Sequence, residues 1–201
     1  ARPGRRRDAE VQTWIGIAGA LASASALAGG PLAMQHPGMQ AAGTLQVTSP
    51  SFRANAAVPA RYSAYHDGIS PALAWSRVDK AKSYALLVED PDAPMATPFV
   101  HWVAWNIPAN ATSLPEGLQG NAHAGGMVQG ASGIGKPGYF GPRPPVADPP
   151  HHYHFEVFAL DATLSLPASA DRDALVKAMQ GHVLAKGELV GTYDENPTPK
   201  R

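Results

Sequence analysis

Apolar and polar positions alternate along Leu45-Gln46-Val47-Thr48, as they do in a half-buried strand. Ile69 to Trp75 carries a similar alternation that ends on a tryptophan. Tyr84-Ala85-Leu86-Leu87-Val88 is almost continuously apolar, which predicts a strand buried on both faces. His101 to Ile107 and Phe155 to Leu160 repeat that character, the second stopping at Asp161, a turn residue. The connections between these runs are rich in Pro and Gly and uneven in length. The pattern predicts a mainly β fold, an antiparallel Greek-key β-sandwich, rather than βαβ units. Ser169 or Asp171 can cap a helix in which Leu175, Val176, Met179, Val183 and Leu184 recur at helical spacing. Gly181 weakens its middle, so two short C-terminal helices are the alternative. Leu189 to Tyr193 closes the fold.

Ahead of the first strand, Arg2, Arg5, Arg6 and Arg7 precede an apolar run from Trp14 to Ala28 that ends in Ala26-Leu27-Ala28. Residues 1–28 thus have the layout of a signal peptide, which after cleavage would leave a periplasmic or secreted protein with no stable membrane insertion. An uncleaved anchor and an Ala-rich helix of the fold are the alternatives. Residues 29–43 show no periodicity and read as a linker. The body is expected over 44–194, and 195–201 as a loose tail.

Composition narrows the chemistry. None of the 201 residues is cysteine, which excludes disulfides, iron–sulfur sites, Cys-ligated zinc and a thiol nucleophile. Sixteen basic and sixteen acidic residues balance, which argues against general nucleic-acid binding. Twenty glycines and twenty prolines favour many turns and short strands over a helical bundle.

Four clusters can carry chemistry. Asp90-Pro91-Asp92-Ala93-Pro94 is a stiff turn with two carboxylates at a strand end, which also suits a purely structural Asp turn. His101, before Trp102, is either a satisfied core residue or a donor that titrates near neutrality. Gly133 to Pro145 is a Gly-rich loop able to present backbone N–H groups to an anion. It is neither a Walker loop nor a dinucleotide fingerprint, because no helix can follow Pro142, Pro144 and Pro145. In His151-His152-Tyr153-His154, strand alternation puts His151 and Tyr153 on one face and His152 and His154 on the other. The second pair has the H-x-H form of a metal site but no evident third ligand. No G-x-S-x-G elbow or Ser-His-Asp grouping is present.

Taken in order, Ser70 to Trp75, Asp90 to Pro94, His101-Trp102 with Asn106-Ile107-Pro108, and Gly138 to Pro142 resemble the phosphatidylethanolamine-binding protein family. So do His151-His152-Tyr153, Ala159-Leu160-Asp161, Gly181 to Ala185 and Leu189 to Tyr193; within the family they resemble its bacterial Raf-kinase-inhibitor-like branch. The resemblance implies a Greek-key β fold with a C-terminal helix. It also implies a pocket for phosphate, phosphorylated headgroups or carboxylate anions, lined by Asp90, His101, Gly141, His151 and Tyr153. Pro91, Asp92, Pro94, Trp102, Tyr139 and Pro142 match as supporting structure. This sequence has Arg143 where bacterial relatives commonly carry Cys, and His152 where the His-x-Tyr pair commonly holds Arg. Arg143 then either adds an anion ligand at the rim or points to solvent.

His101, His151 and Tyr153 would donate to anion oxygens. Asp90 would accept from a histidine and favour its protonated form, so dianions would bind more tightly below about pH 7. The expected pocket is small and polar, holding a headgroup and leaving acyl chains outside. The expected function is non-enzymatic anion binding without cofactor or metal, modulating a kinase or protease partner. The alternatives are a phosphate-ester hydrolase using the same His/Asp groups and a protein inhibitor acting through a surface outside the pocket.

Overall fold

The computed structural model describes residues 29–196; the signal-peptide reading of 1–28 and most of the expected tail lie outside them. Ten strands follow in order: β1 (Gly43–Thr44), β2 (Val47–Thr48), β3 (Leu73–Trp75), β4 (Ser83–Asp90), β5 (Phe99–Pro108), β6 (Ser113–Leu114), β7 (His123–Ala124), β8 (Met127–Gln129), β9 (His151–Leu160) and β10 (Val183–Tyr193). Among the described residues one α-helix, α1 (Arg172–Met179), lies between β9 and β10. A seven-stranded sheet has the order β1-β10-β9-β4-β5-β8-β7, and a three-stranded sheet the order β2-β3-β6.

The mainly β expectation holds, with one qualification. The large sheet is mixed, because β1 runs parallel to β10, so the fold is not a strict Greek key. The helix is also shorter than the apolar spacing suggests. Asp171 caps it, accepting from Ala174 N at 3.0 Å, but Val183 and Leu184 belong to β10. Beyond Gly181 the chain gains more by pairing with β9 than by extending a short helix.

Strands β4, β5 and β9 are covered on both faces, as their apolar runs require. One face packs Tyr84, Leu86, Val88, Trp102, Tyr153 and Phe155 with Leu73 and Trp75 of the small sheet. The other packs Ala85, Leu87, Val103, Trp105 and Phe158 with Leu175, Val176 and Met179 of α1.

The segment 29–43, expected as a linker, is part of this second core. Ala33 and Met39 are fully buried, and the backbone of residues 31–34 is held by four side chains. Ala33 N donates to Glu89 Oε2 (2.7 Å) and Met34 N to Glu156 Oε1 (3.1 Å). Arg172 donates to Pro31 O (3.0 Å) and Lys186 Nζ to Met34 O (2.7 Å). These partners lie far along the chain, so the segment's lack of periodicity hid its packing. We call residues 29–42 the strap.

Candidate functional site

At the C-terminal end of β4, two loops and the starts of β5 and β9 form a cavity of about 360 Å³. Asp90, His101 and His151 line it, together with Ala93, Pro94, Met95, Phe99, Ile134, Phe140, Arg143, Pro144 and Pro145. Its walls are therefore largely apolar, which corrects the expectation of a polar pocket. The loops 91–98 and 133–145 contribute prolines, Met95, Ile134 and Phe140, and these outnumber the polar groups on its floor.

Asp90 closes its own turn by accepting from Asp92 N (2.9 Å) and Ala93 N (3.2 Å) through Oδ1. Its Oδ2 accepts from His151 Nδ1 at 2.8 Å, with both side chains almost completely buried. This is the carboxylate–imidazole contact anticipated for a histidine of the site. It fixes the ring and leaves Nε2 as the imidazole atom free to meet a ligand.

His101 reaches the cavity through a β-bulge. Val88 pairs with Trp102 and Glu89 with Val100, so His101 is an extra residue on β5. A bulge re-aims the side chain it inserts, and here it turns His101 toward Tyr153 instead of toward Val103 and Trp105. The imidazole sits among three rings: Phe140 stacked at 5.8 Å, Phe99 tilted at 4.8 Å and Tyr153 edge-on at 5.1 Å. Its Nδ1 donates to Phe140 O (2.7 Å), and Phe140 N donates back to His101 O (2.8 Å). Burial pushes His101 down to about 4 against the opposing pull of the Phe140 carbonyl. The expected titration near neutrality is thus corrected: this imidazole is neutral at pH 7, and Nε2 is an acceptor rather than a donor.

Tyr153 and Gly141 do not line the cavity; they stand behind its wall. Tyr153 is fully buried and its hydroxyl has no hydrogen-bond partner among the described residues. Burial, followed by the negative charge of Asp90, raises its pKa, so the phenol keeps its proton. Gly141 packs so tightly under residues 62–64 that a Cβ would stand 2.3 Å from Tyr62 O and 2.7 Å from Ala64 N. The flanking Pro142 O accepts from Ala64 N at 2.9 Å.

The supporting residues divide by role. Trp102 is buried and donates to Gln129 Oε1 (2.7 Å), and Tyr139 packs edge-on against it at 5.5 Å. Pro91 is buried, while Pro94 forms cavity wall. Asp92 faces away and pairs with His152, accepting from its backbone N (2.7 Å) and its Nδ1 (2.8 Å). His154 pairs separately with Glu188 (2.8 Å), so the H-x-H residues are held by different carboxylates. Among the described residues no group of three or more potential metal ligands gathers. Arg143 stays at the rim, its guanidinium 5.6 Å from the Tyr65 ring.

The sequence reading missed three contributors. Phe99 and Phe140, which box His101, look like ordinary core residues in the sequence. Asp148 Oδ2 lies 3.7 Å from His151 Nε2; a proline-rich loop gives no signal for that contact.

Comparison with known proteins places this geometry in a family. The phosphatidylethanolamine-binding protein family model matches residues 48–194. A UPF0098 protein of Pyrococcus horikoshii is 45% identical over 155 residues, covering 75% of this chain and 77% of the relative. A UPF0098 protein of Chlamydia muridarum is 39% identical over 157 residues, covering 76% of this chain and all of the relative. Among solved structures, a phosphatidylethanolamine-binding protein homologue from Chlamydia trachomatis superposes with a TM-score of 0.69 at 37% identity, covering 76% of this chain and 99% of that one. Escherichia coli YbcL, described as a new member of the mammalian family, gives 0.70 at 30% identity with the same coverage. With the matched model spanning nearly all of the described body, the chain belongs to the phosphatidylethanolamine-binding protein family.

Proposed function

We propose that the cavity binds a small oxyanion, phosphate ester or carboxylate, that carries an apolar substituent, and that it does so without turning it over. The observation that carries this reading is the buried Asp90–His151 pair (2.8 Å) beside neutral His101, set on the floor of a largely apolar cavity of about 360 Å³ with Arg143 at its rim. The two imidazoles offer different chemistry. His151 is held through Nδ1 and meets the ligand with Nε2. His101, neutral and with Nδ1 committed to Phe140 O, offers an acceptor. A singly protonated phosphate suits both: its P–OH donates to His101, while an anionic oxygen accepts from His151 Nε2–H, a donor that this ring offers only in its doubly protonated form, since Nδ1–H is committed to Asp90. Tighter binding at lower pH then follows from the ligand's own proton and that of His151 rather than from protonation of His101. The walls of Pro94, Met95, Ile134, Phe140 and Pro144 suit an alkyl or aryl group attached to that head.

Binding is favoured over hydrolysis by the state of Asp90. Two backbone N–H groups and His151 already occupy its oxygens, which makes it a poor nucleophile or base. The cavity lining also carries no serine, threonine or cysteine. The test is a titration of the full chain with inorganic phosphate, phosphoethanolamine and phenyl phosphate, followed by NMR of the histidine side chains. Saturable shifts at His101 and His151, with phenyl phosphate tightest, are expected. No shift at millimolar ligand overturns the reading, and release of phenol would restore the hydrolase alternative.

A further inference from the structure

We infer that Asp148 is an internal counter-anion that competes with the ligand for His151 and thereby sets the affinity and charge preference of the cavity. This rests on the anion-binding reading above.

Two carboxylates flank the His151 ring, and they are not equivalent. Asp90 holds Nδ1 at 2.8 Å with its side chain 5% exposed. Asp148 faces Nε2 from 3.7 Å with its side chain 44% exposed. That distance is too long for a hydrogen bond yet within ion-pair range. The Asp148 carboxylate accepts no hydrogen bond from another residue among the described ones, so nothing else anchors it. Asp90 is a fixed part of the site, whereas Asp148 can swing into water at little cost.

The loop that carries it is shaped to aim it. Asp148 N closes a turn onto Pro145 O at 3.1 Å. Ala147 inside that turn has φ +72, a left-handed conformation that is costly for alanine. Pro144 and Pro145 of the same loop are cavity wall, so the loop delivers Asp148 beside the ring atom that a ligand must use. An anion approaching Nε2 therefore meets a negative charge already placed there. It must displace Asp148 or bind beside it, at a cost that rises with its own charge.

Three consequences can be read by titration. Asp148→Asn should tighten inorganic phosphate at pH 7.5 by about two- to five-fold at low ionic strength, the size expected of a partly exposed charge pair. Singly charged acetate should gain less. The gain should fade as the Debye length shrinks from about 10 Å at 0.1 M salt to about 3 Å at 1 M. The Asp161–His182 pair, 2.8 Å apart and away from the cavity, supplies the control, and Asp161→Asn should change nothing.

The experiment is an NMR titration of the full chain, wild type and both variants, with phosphate and with acetate at low and high salt, following His151. Asp148→Ser repeats the measurement should Asp148→Asn disturb the turn. Phosphate affinity that is unchanged or weakened in both Asp148 variants, with wild type binding normally, overturns the inference and leaves the anion-binding reading standing. No His151 response in wild type or either variant overturns both. Binding seen only in the Asp148 variants supports both.

Discussion

Replacing Glu156 with glutamine tests the grip on the strap, through an effect whose size follows from proton counting. Glu156 and Glu89 are both fully buried on one face of the large sheet. Glu89 is paired with Arg172 Nε at 2.8 Å, while Glu156 accepts only from Met34 N. Burial, and then the Glu89 carboxylate, push Glu156 well above the usual carboxyl range, so the folded protein keeps a proton there to higher pH than the unfolded chain does. In the unfolded chain the same group ionises near pH 4.3. Between the unfolded and folded values the native state binds one more proton than the unfolded state. This contribution to stability is complete below the unfolded value and declines as pH rises, by about 1.4 kcal/mol per pH unit. Glutamine matches the neutral carboxyl in shape and does not titrate. Glu156→Gln should thus gain on wild type as pH rises above about 5, at up to about 1.4 kcal/mol per pH unit for as long as Glu156 stays protonated in the fold. Urea unfolding followed by tryptophan fluorescence at several pH values measures this. Stability profiles that run parallel in wild type and variant would refute the reasoning.

His101 should remain neutral in the folded protein down to about pH 4, visible as an imidazole nitrogen signal that does not move across pH 5–8. Because its folded value lies below the unfolded one, the unfolded state takes the extra proton, and His101 should erode stability as pH falls from about 6.5 toward 4; His101→Gln should remove that part of the acid sensitivity in the same urea series. Tyr153→Phe removes a hydroxyl with no partner, so it should leave the melting temperature unchanged or slightly raised. Because Tyr153 stands behind the cavity wall, the same variant should leave phosphate affinity unchanged, which the histidine titration checks.

How much of this was legible depends on whether the determinant is local. The uninterrupted apolar run in β4 announced a strand covered on both sides, and period-two alternation separated His151 and Tyr153 from His152 and His154. The turn at Asp90 was legible too, since prolines and a carboxylate after a buried strand have few other uses. His101 was harder. Simple alternation would place it with Val103 and Trp105 on the opposite face, and only the register slip against β4 brings it to the cavity. The strap was invisible for a different reason. Its burial comes from complementarity to Glu89, Glu156, Arg172 and Lys186, and a segment fixed by distant partners needs no period of its own. Asp148 combines both difficulties, since its aim depends on a left-handed Ala147 in a loop whose sequence suggests only proline-rich irregularity.

The strap and the cavity meet through consecutive residues at the end of β4. Glu89 points to one face of the sheet and holds Ala33 N; Asp90 points to the other and holds His151, Asp92 N and Ala93 N. The strap then lies along the back of the loop 91–98, whose front is cavity wall. Contact there is close enough that a Cβ on Gly29, at φ +117, would stand 2.1 Å from Pro91 O. Gly29→Ala must therefore move either the strap or the loop, although Gly29 is outside the cavity lining. If the loop yields, the N–H groups of Asp92 and Ala93 lose alignment with Asp90, and Asp90 loses alignment with His151. The expected result is faster amide exchange at residues 92 and 93 and several-fold weaker phosphate binding, with exchange in the central residues of β9 unchanged. Unaltered exchange at both positions together with unaltered affinity would mean that the strap yields instead, and that the loop is positioned by Asp90 and its prolines alone.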